Sequence, residues 1–182
     1  MKTSYVFLAP GFEEIEAVGP IDIMRRAGME VKTVSITPGE RTVTGAHGVP
    51  YVADTTIDLI DADADWLILP GGMPGATNLY ACKALTDMLR SHTGNIAAIC
   101  ASPSVVLGQL GLLDGKKATC YPGMESYSAS GVTFTGAHVE RDGRFITAQG
   151  PAWSFAFGLA IVAATLGDDA ASTVANGMLL AQ

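Results

Sequence analysis

The segment Ala97-Ala98-Ile99-Cys100-Ala101-Ser102-Pro103 carries an apolar run to a cysteine and follows it with a proline suited to the first turn of a helix. A thiol at such a bend would face the free N–H groups and partial positive charge of a helix start. That setting favours the thiolate, which is the nucleophilic form. The commoner fate of a lone cysteine is to be a small, inert core residue, so its neighbours must decide between the two. Gly71-Gly72 offers bare backbone that could approach a ligand. One N–H of that loop and the N–H of Ala101 would form an oxyanion hole for an adduct at Cys100, provided that both are fixed where negative charge develops. A double glycine by itself is more often a tight turn. Glu13, Glu14 and Glu16 supply carboxyl groups at a helix start, where a solvated first turn stabilised by the macrodipole is the alternative reading of each. Glu16 lies two residues after Glu14, so the two side chains face differently.

These groups converge only if the chain places several strand ends side by side. Short apolar runs alternate with helix-period segments along the sequence, the pattern of a parallel sheet covered on both faces. Residues 5–9 read as the first strand. Residues 13–27 follow as a helix with Ile15, Val18, Ile21, Ile23 and Met24 at packing positions, and Gly28 stands where a stop belongs. Residues 31–36, 66–69 and 95–100 read as further strands, and 42–54 as a hairpin-like excursion. Helical segments are expected over 78–89, 103–110, 153–166 and 169–180, with short strands near Thr119, Phe134 and Phe145. The expected architecture is α/β: a three-layer sandwich with a doubly wound, mostly parallel sheet. Ligands bind such sheets beyond the carboxyl ends of the strands, which is where the loops bearing Glu16, Gly72 and Cys100 would meet. No linker-like tract, charge block or repeat interrupts the pattern, so residues 1–182 read as one domain.

Composition narrows the function classes. The 182 residues carry a formal net charge of −7, which gives neither nucleic acid nor an anionic membrane a basic stripe to hold. The three cysteines, Cys82, Cys100 and Cys120, form no Cys-x-x-Cys pair and have no histidine at zinc-ligand spacing. Neither a disulfide framework nor a structural metal is expected. The first ten residues pass into Gly11 and Glu13 with no small-residue cleavage site, so no signal peptide is read. The apolar stretch 155–166 is about twelve residues long, short of the roughly twenty that cross a bilayer. A cytoplasmic protein is the resulting expectation. His92 and His138 lack ligand-like neighbours and read as surface residues, and Trp153 as a packing residue.

The segments Phe7-Leu8-Ala9-Pro10-Gly11-Phe12-Glu13-Glu14-Ile15-Glu16, Met24-Arg25-Arg26-Ala27-Gly28, Leu69-Pro70-Gly71-Gly72, Ala97 to Ala101 and Gln149-Gly150-Pro151 occur in order across nearly the whole chain. Together they resemble the ThiJ/PfpI superfamily, in its Parkinsonism-associated branch. The resemblance implies a flavodoxin-like, glutamine amidotransferase-like fold. It also implies that Cys100 is the nucleophile and an oxidation-sensitive thiol, that Glu16 hydrogen-bonds to it, and that the backbone at Gly72 and Ala101 completes the pocket. The implied reaction is glyoxalase III-like conversion of glyoxals to hydroxy acids, or deglycase removal of early glycation adducts from thiols and amines, with no metal or organic cofactor. In that setting Glu16, kept protonated by burial beside a negative charge, would serve as general acid/base. The family commonly forms two-fold dimers through the first helix and adjacent hairpin, so a homodimer is expected.

Two departures from the family pattern bear on mechanism. A histidine follows the strand near Thr119-Cys120 in the family's fuller sites, and Tyr121 stands there in this chain. A phenol donates a hydrogen bond but is a poor base at neutral pH. His47, on a loop that family dimers bring towards the other subunit, is the candidate replacement; an exposed loop histidine is the alternative. The peptidase branch has a histidine directly after the cysteine, and Ala101 occupies that position here, which removes the base that proteolysis needs. Two functions from different classes remain. One is an enzyme acting on a small reactive carbonyl. The other is a non-enzymatic oxidative-stress sensor or chaperone that uses oxidation of Cys100.

Overall fold

The computed structural model describes residues 2–61, 63–129 and 131–180. In chain order the elements are β1 (Ser4–Leu8), α1 (Glu14–Arg26), β2 (Val31–Ser35), β3 (Thr42–Thr44), β4 (Pro50–Val52), β5 (Thr55–Thr56), β6 (Trp66–Leu69), α2 (Gly75–Ala81), α3 (Lys83–Ser91) and β7 (Asn95–Ile99). There follow β8 (Lys117–Ala118), β9 (Thr133–Phe134), β10 (Val139–Asp142), β11 (Phe145–Ala148), α4 (Ser154–Leu166) and α5 (Asp168–Gly177). Seven strands form one sheet in the order β10-β11-β7-β6-β1-β2-β5, parallel except for β10 at one edge. The fold is thus a doubly wound α/β sandwich of flavodoxin-like type.

Period-2 alternation explains the layering. Val6 and Leu8 of β1, Ile68 of β6 and Ala97 and Ile99 of β7 point to one face, where Ile21 and Ile23 of α1, Phe157 and Ile161 of α4 and Val174 of α5 cover them. Tyr5 and Phe7, Leu67 and Leu69, and Ile96 and Ala98 point to the other, under Leu79 of α2 and Leu85 and Leu89 of α3. Strands buried on both faces read as continuous apolar runs, which is why they were visible in the sequence. Helix α1 follows local rules: Glu14 and Glu16 lie in its first turn, Arg25 and Arg26 in its last, and Gly28 (φ +80°) turns the chain away.

The strand order reverses between β1 and β6. Their carboxyl ends therefore send loops in opposite directions and leave a crevice between them. The β1–α1 loop and the β6–α2 loop are joined across it by Glu13 N–H donating to Gly71 O (2.9 Å) and Gly75 N–H to Gly11 O (3.1 Å).

Some elements differ from the sequence expectation. The helical segments expected over 78–89 are two helices that meet at Cys82, whose extended backbone (ψ 99°) ends α2 and starts α3, and α2 begins earlier, at Gly75. The helix expected over 103–110 is a π-type segment, Pro103–Gly108, with wide bonds such as Gln109 N–H to Ser104 O (3.2 Å) continuing beyond it. Strand β10 was not expected, because Val139-Glu140-Arg141-Asp142 is a half-exposed edge with little apolar signal. His92, expected at the surface, is buried at the end of α3. Among the described residues no helix is long and apolar enough to cross a membrane.

Candidate active site

Cys100 follows β7 with φ +64°, a left-handed conformation that residues other than glycine rarely adopt. The bend is held on every side: Cys100 N–H donates to Ala148 O (2.9 Å), its carbonyl accepts from Tyr121 N–H (2.8 Å), and Ser102 Oγ donates to Pro70 O (2.5 Å). The surrounding strands over-determine the strained angle and fix where the sulfur points. The N–H groups of Gly72 and Ala101 both interact with that sulfur, which places two backbone donors around it. Gly72 (φ +85°) could not carry a side chain, since a Cβ there would lie 2.5 Å from Glu13 N and 2.7 Å from Gly11 O.

Glu16 reaches the same point from α1. Glu13 is the N-cap and Glu16 the third helical residue, the spacing of a capping box, in which each side chain satisfies the other's N–H. Half of that box forms: Glu13 Oε2 accepts from Glu16 N–H (2.8 Å). The other half is replaced. Glu13 N–H is taken by Gly71 O, and the Glu16 carboxylate swings inward to accept Gly71 N–H (2.9 Å). Glu16 ends 1% exposed, beside Cys100, with its second oxygen accepting no hydrogen bond among the described residues.

Burial pushes Glu16 up to about 8; the neighbouring thiol's hydrogen bond pulls it down, the charge of Glu13 adds to the rise and Gly71 N–H opposes it. Burial therefore favours the neutral acid form of Glu16 near pH 7. The thiol departs from expectation. Burial, then the Glu16 charge, push Cys100 up to about 12 against the Gly72 and Ala101 N–H groups. The donors that should favour thiolate are present, but desolvation outweighs them. The two groups are coupled: the Glu16 charge that raises the thiol disappears when Glu16 is protonated, so the pair titrates together and attack by the sulfur is linked to proton transfer at Glu16.

The remaining candidates divide. Tyr121 is about half exposed and lies over Gly150 at the edge of the site. His47 sits at the tip between β3 and β4, which docks on its own chain through Ala46 N–H to Phe12 O (2.8 Å). Its ring pairs with Glu14 (Nδ1 to Oε2, 2.8 Å), and this contact holds its pKa above the usual value. Glu13, Glu14 and His47 bring ligand atoms within 4.8 Å of one another; they are the described residues that could hold a metal, although Glu14 and His47 already satisfy each other. Cys120 is buried, as expected of a structural thiol. Three residues near the site had no site role in the sequence reading: Glu13, read as a first-turn carboxyl, Gly150, and Trp153, read as packing. Trp153 lines a cleft beside Gly150. The Glu13-x-x-Glu16 capping spacing was the one legible signal among them.

A strained cysteine at a strand-to-helix bend, a buried carboxyl and two backbone donors at the switch point of a doubly wound sheet define the class of α/β proteins built on an elbow cysteine. Within that class the chain belongs to the DJ-1/PfpI family, whose model matches residues 2–164. It is similar to protein DJ-1 homolog A of Arabidopsis thaliana, 38% identical over 98% of this chain and 47% of that one. The chain thus spans about half the length of that relative. A solved structure of oxidized DJ-1 from Toxoplasma gondii superposes with a TM-score of 0.93 at 36% identity, covering 98% of both chains. A Pyrococcus horikoshii relative named a deglycase is 31% identical, over 80% of this chain and 89% of that one.

Proposed function

We propose that the protein is a cofactor-independent, cysteine-dependent enzyme acting on small reactive carbonyls, a glyoxalase or deglycase, with Cys100 as nucleophile and Glu16 as acid and base. The observation that carries this reading is the buried Glu16 carboxyl, whose pKa burial raises, beside a cysteine that also faces the Gly72 and Ala101 N–H groups. A carboxylic acid is bifunctional: one oxygen accepts a proton while the other donates one. The Cys100 sulfur adds to the aldehyde carbon of an α-oxoaldehyde as its proton passes through Glu16 to the carbonyl oxygen, giving a hemithioacetal. Glu16 then moves the former aldehyde hydrogen, as a proton, to the adjacent carbon through an enediol. One carbon is oxidised and its neighbour reduced, so no external oxidant enters. Water cleaves the resulting thioester, the hydroxy acid leaves and the thiol recovers its proton. Gly72 and Ala101 N–H stabilise the oxygen charge that develops in the addition and hydrolysis steps. The deglycase variant starts from a hemithioacetal or hemiaminal already formed on a protein side chain: its C–S or C–N bond breaks as the side-chain thiol or amine regains its proton, and Cys100 adds to the released aldehyde carbon to give the same hemithioacetal. Support from outside the chain is the relative named a deglycase.

A second reading, a redox sensor, is favoured by one observation: a similar protein has been solved in oxidized form. A protonated Glu16 would hydrogen-bond to an oxidised Cys100 as well as to a hemithioacetal. The readings separate on turnover. Chelator-treated protein is expected to form lactate from methylglyoxal, and Cys100→Ala to form none above the uncatalysed rate; failure of the wild type to form lactate contradicts the enzyme reading.

We also propose that two copies pair through α1. Ile15 (54% exposed), Val18 (45%) and Phe155 (43%) form an apolar depression on α1 and α4, an arrangement suited to an isologous contact. Val18→Glu is expected to convert a dimer to a monomer in sedimentation; a wild type that sediments as a monomer at micromolar concentration contradicts the proposal.

A further inference from the structure

Next to the Cys100 and Glu16 pair lies a cleft to which the reaction above assigns no role. Tyr121, Pro122, Gly150 and Trp153 are among the residues lining an open volume of about 410 Å³. Gly150 is the joint between this cleft and the acid. A Cβ at Gly150 would sit 3.4 Å from Tyr121 Cδ2 and 3.9 Å from Glu16 Oε1, so at Gly150 only the bare backbone separates the cleft from that buried oxygen. Of the two Glu16 oxygens, Oε1 is buried without a hydrogen-bond partner among the described residues, whereas Oε2 is held by Gly71 N–H.

The walls of the cleft are aromatic and braced. The Trp153 indole lies flat against the His138 imidazole, with ring centroids 3.5 Å apart and planes 12° from parallel. His138 is tied to the sheet edge, its carbonyl accepting Gln149 N–H (3.1 Å). The stack covers one indole face and leaves the rest of the ring to the cleft. Tyr121 stands on the elbow itself, its N–H bonded to Cys100 O (2.8 Å), with its ring about half exposed. A braced indole facing a second aromatic ring, next to a proton-transfer group, suits a flat apolar substituent on the carbon beside the reacting carbonyl, because a rigid aromatic surface binds such groups with little loss of conformational freedom. A methyl group would leave most of that surface wet.

We propose that the cleft bounded by Tyr121 and Trp153 is a subsite for an aromatic substituent, so that the substrates are aryl α-oxoaldehydes in preference to short alkyl ones. The proposal rests on the carbonyl reading for its reactive group and on the cleft alone for its selectivity. The bond changes at Cys100 and Glu16 are those given above, with the aryl group a spectator.

The test separates binding from turnover. Calorimetry on Cys100→Ala, which cannot react, compares phenylglyoxylate with pyruvate as unreactive probes of the two classes. Phenylglyoxylate is expected to bind about tenfold more tightly or better. Trp153→Ala in that background should bring the two affinities together, and Trp153→Phe, which keeps a flat ring, should retain the preference. In wild type, kcat/KM for phenylglyoxal should exceed that for methylglyoxal by a similar factor, mainly through KM. Equal binding of the two probes, or a preference that survives Trp153→Ala in a folded protein, overturns the subsite. An intact binding preference with no turnover of either aldehyde upholds the subsite and overturns the enzyme reading instead.

Discussion

Glu16→Gln is expected to lower hydroxy-acid formation by roughly 10²- to 10⁴-fold, the usual range for loss of a general acid or base, while making the protein more stable above neutral pH. The amide keeps the shape of the side chain and can still accept Gly71 N–H, so the site should survive in outline. What it loses is proton relay: burial still raises the thiol, and no neighbouring carboxyl remains to take its proton. The stability effect follows from linkage. Folding raises the Glu16 pKa from 4.5 to about 8. Below about pH 4.5 the carboxyl is protonated in both the folded and unfolded chain and contributes no pH dependence. As pH rises towards 8 only the unfolded chain ionises, so folding stability falls, and above 8 the full penalty applies. At about 1.4 kcal/mol per pH unit, the penalty is on the order of a few kcal/mol. Glutamine escapes it. Melting temperatures of wild type and Glu16→Gln should converge near pH 4 and diverge in favour of the variant towards pH 9; a variant less stable than wild type at pH 9 contradicts a buried, protonated Glu16.

Gly71→Ala is expected to damage both fold and site. A Cβ at Gly71 would lie 2.6 Å from Cys100 Cβ, 2.6 Å from Glu16 Oε2 and 2.8 Å from Ile99 O. None of these can move freely: Ile99 O belongs to the end of a central strand, Cys100 Cβ to the strained bend, and Glu16 Oε2 to the hydrogen bond that Gly71 itself donates. Overpacking of this kind costs roughly 1–3 kcal/mol, and any relief comes from pushing Glu16 away from the sulfur. Gly28→Ala is the comparison, since a Cβ there meets nothing within 4 Å and only the φ of +80° is strained. Differential scanning calorimetry should show both variants destabilised, with turnover lost in Gly71→Ala and retained in Gly28→Ala. Full activity in Gly71→Ala contradicts the close packing of the three groups.

Much of this arrangement was readable before the structure, because the signals were local. Apolar runs marked the central strands, Pro103 and the double glycine marked two of the loops, and Glu13-x-x-Glu16 carried capping spacing. The features that escaped depend on distance in space. The acidity of Cys100 turns on how deeply the bend is buried, and a one-dimensional pattern showed the helix start that favours thiolate but not the desolvation that opposes it. Trp153 read as packing, since nothing in its neighbours predicts that His138, fifteen positions earlier, would lie flat against it. His47 is placed by a hairpin docking on the β1–α1 loop, and its pairing with Glu14 follows from that docking rather than from any motif. The break at Cys82 had no glycine or proline to announce it.

The most direct test of the central claim is the pH profile of lactate formation from methylglyoxal by chelator-treated protein, run on wild type, Glu16→Gln and Cys100→Ala with the intact mass of each followed in parallel. The account predicts turnover by wild type that declines as pH rises through about 8, where Glu16 gives up its proton, near-complete loss in both variants, and a Cys100 mass unchanged after many turnovers. A wild type that forms no hydroxy acid while Cys100 passes to the sulfinate, or turnover that persists in Glu16→Gln, contradicts it.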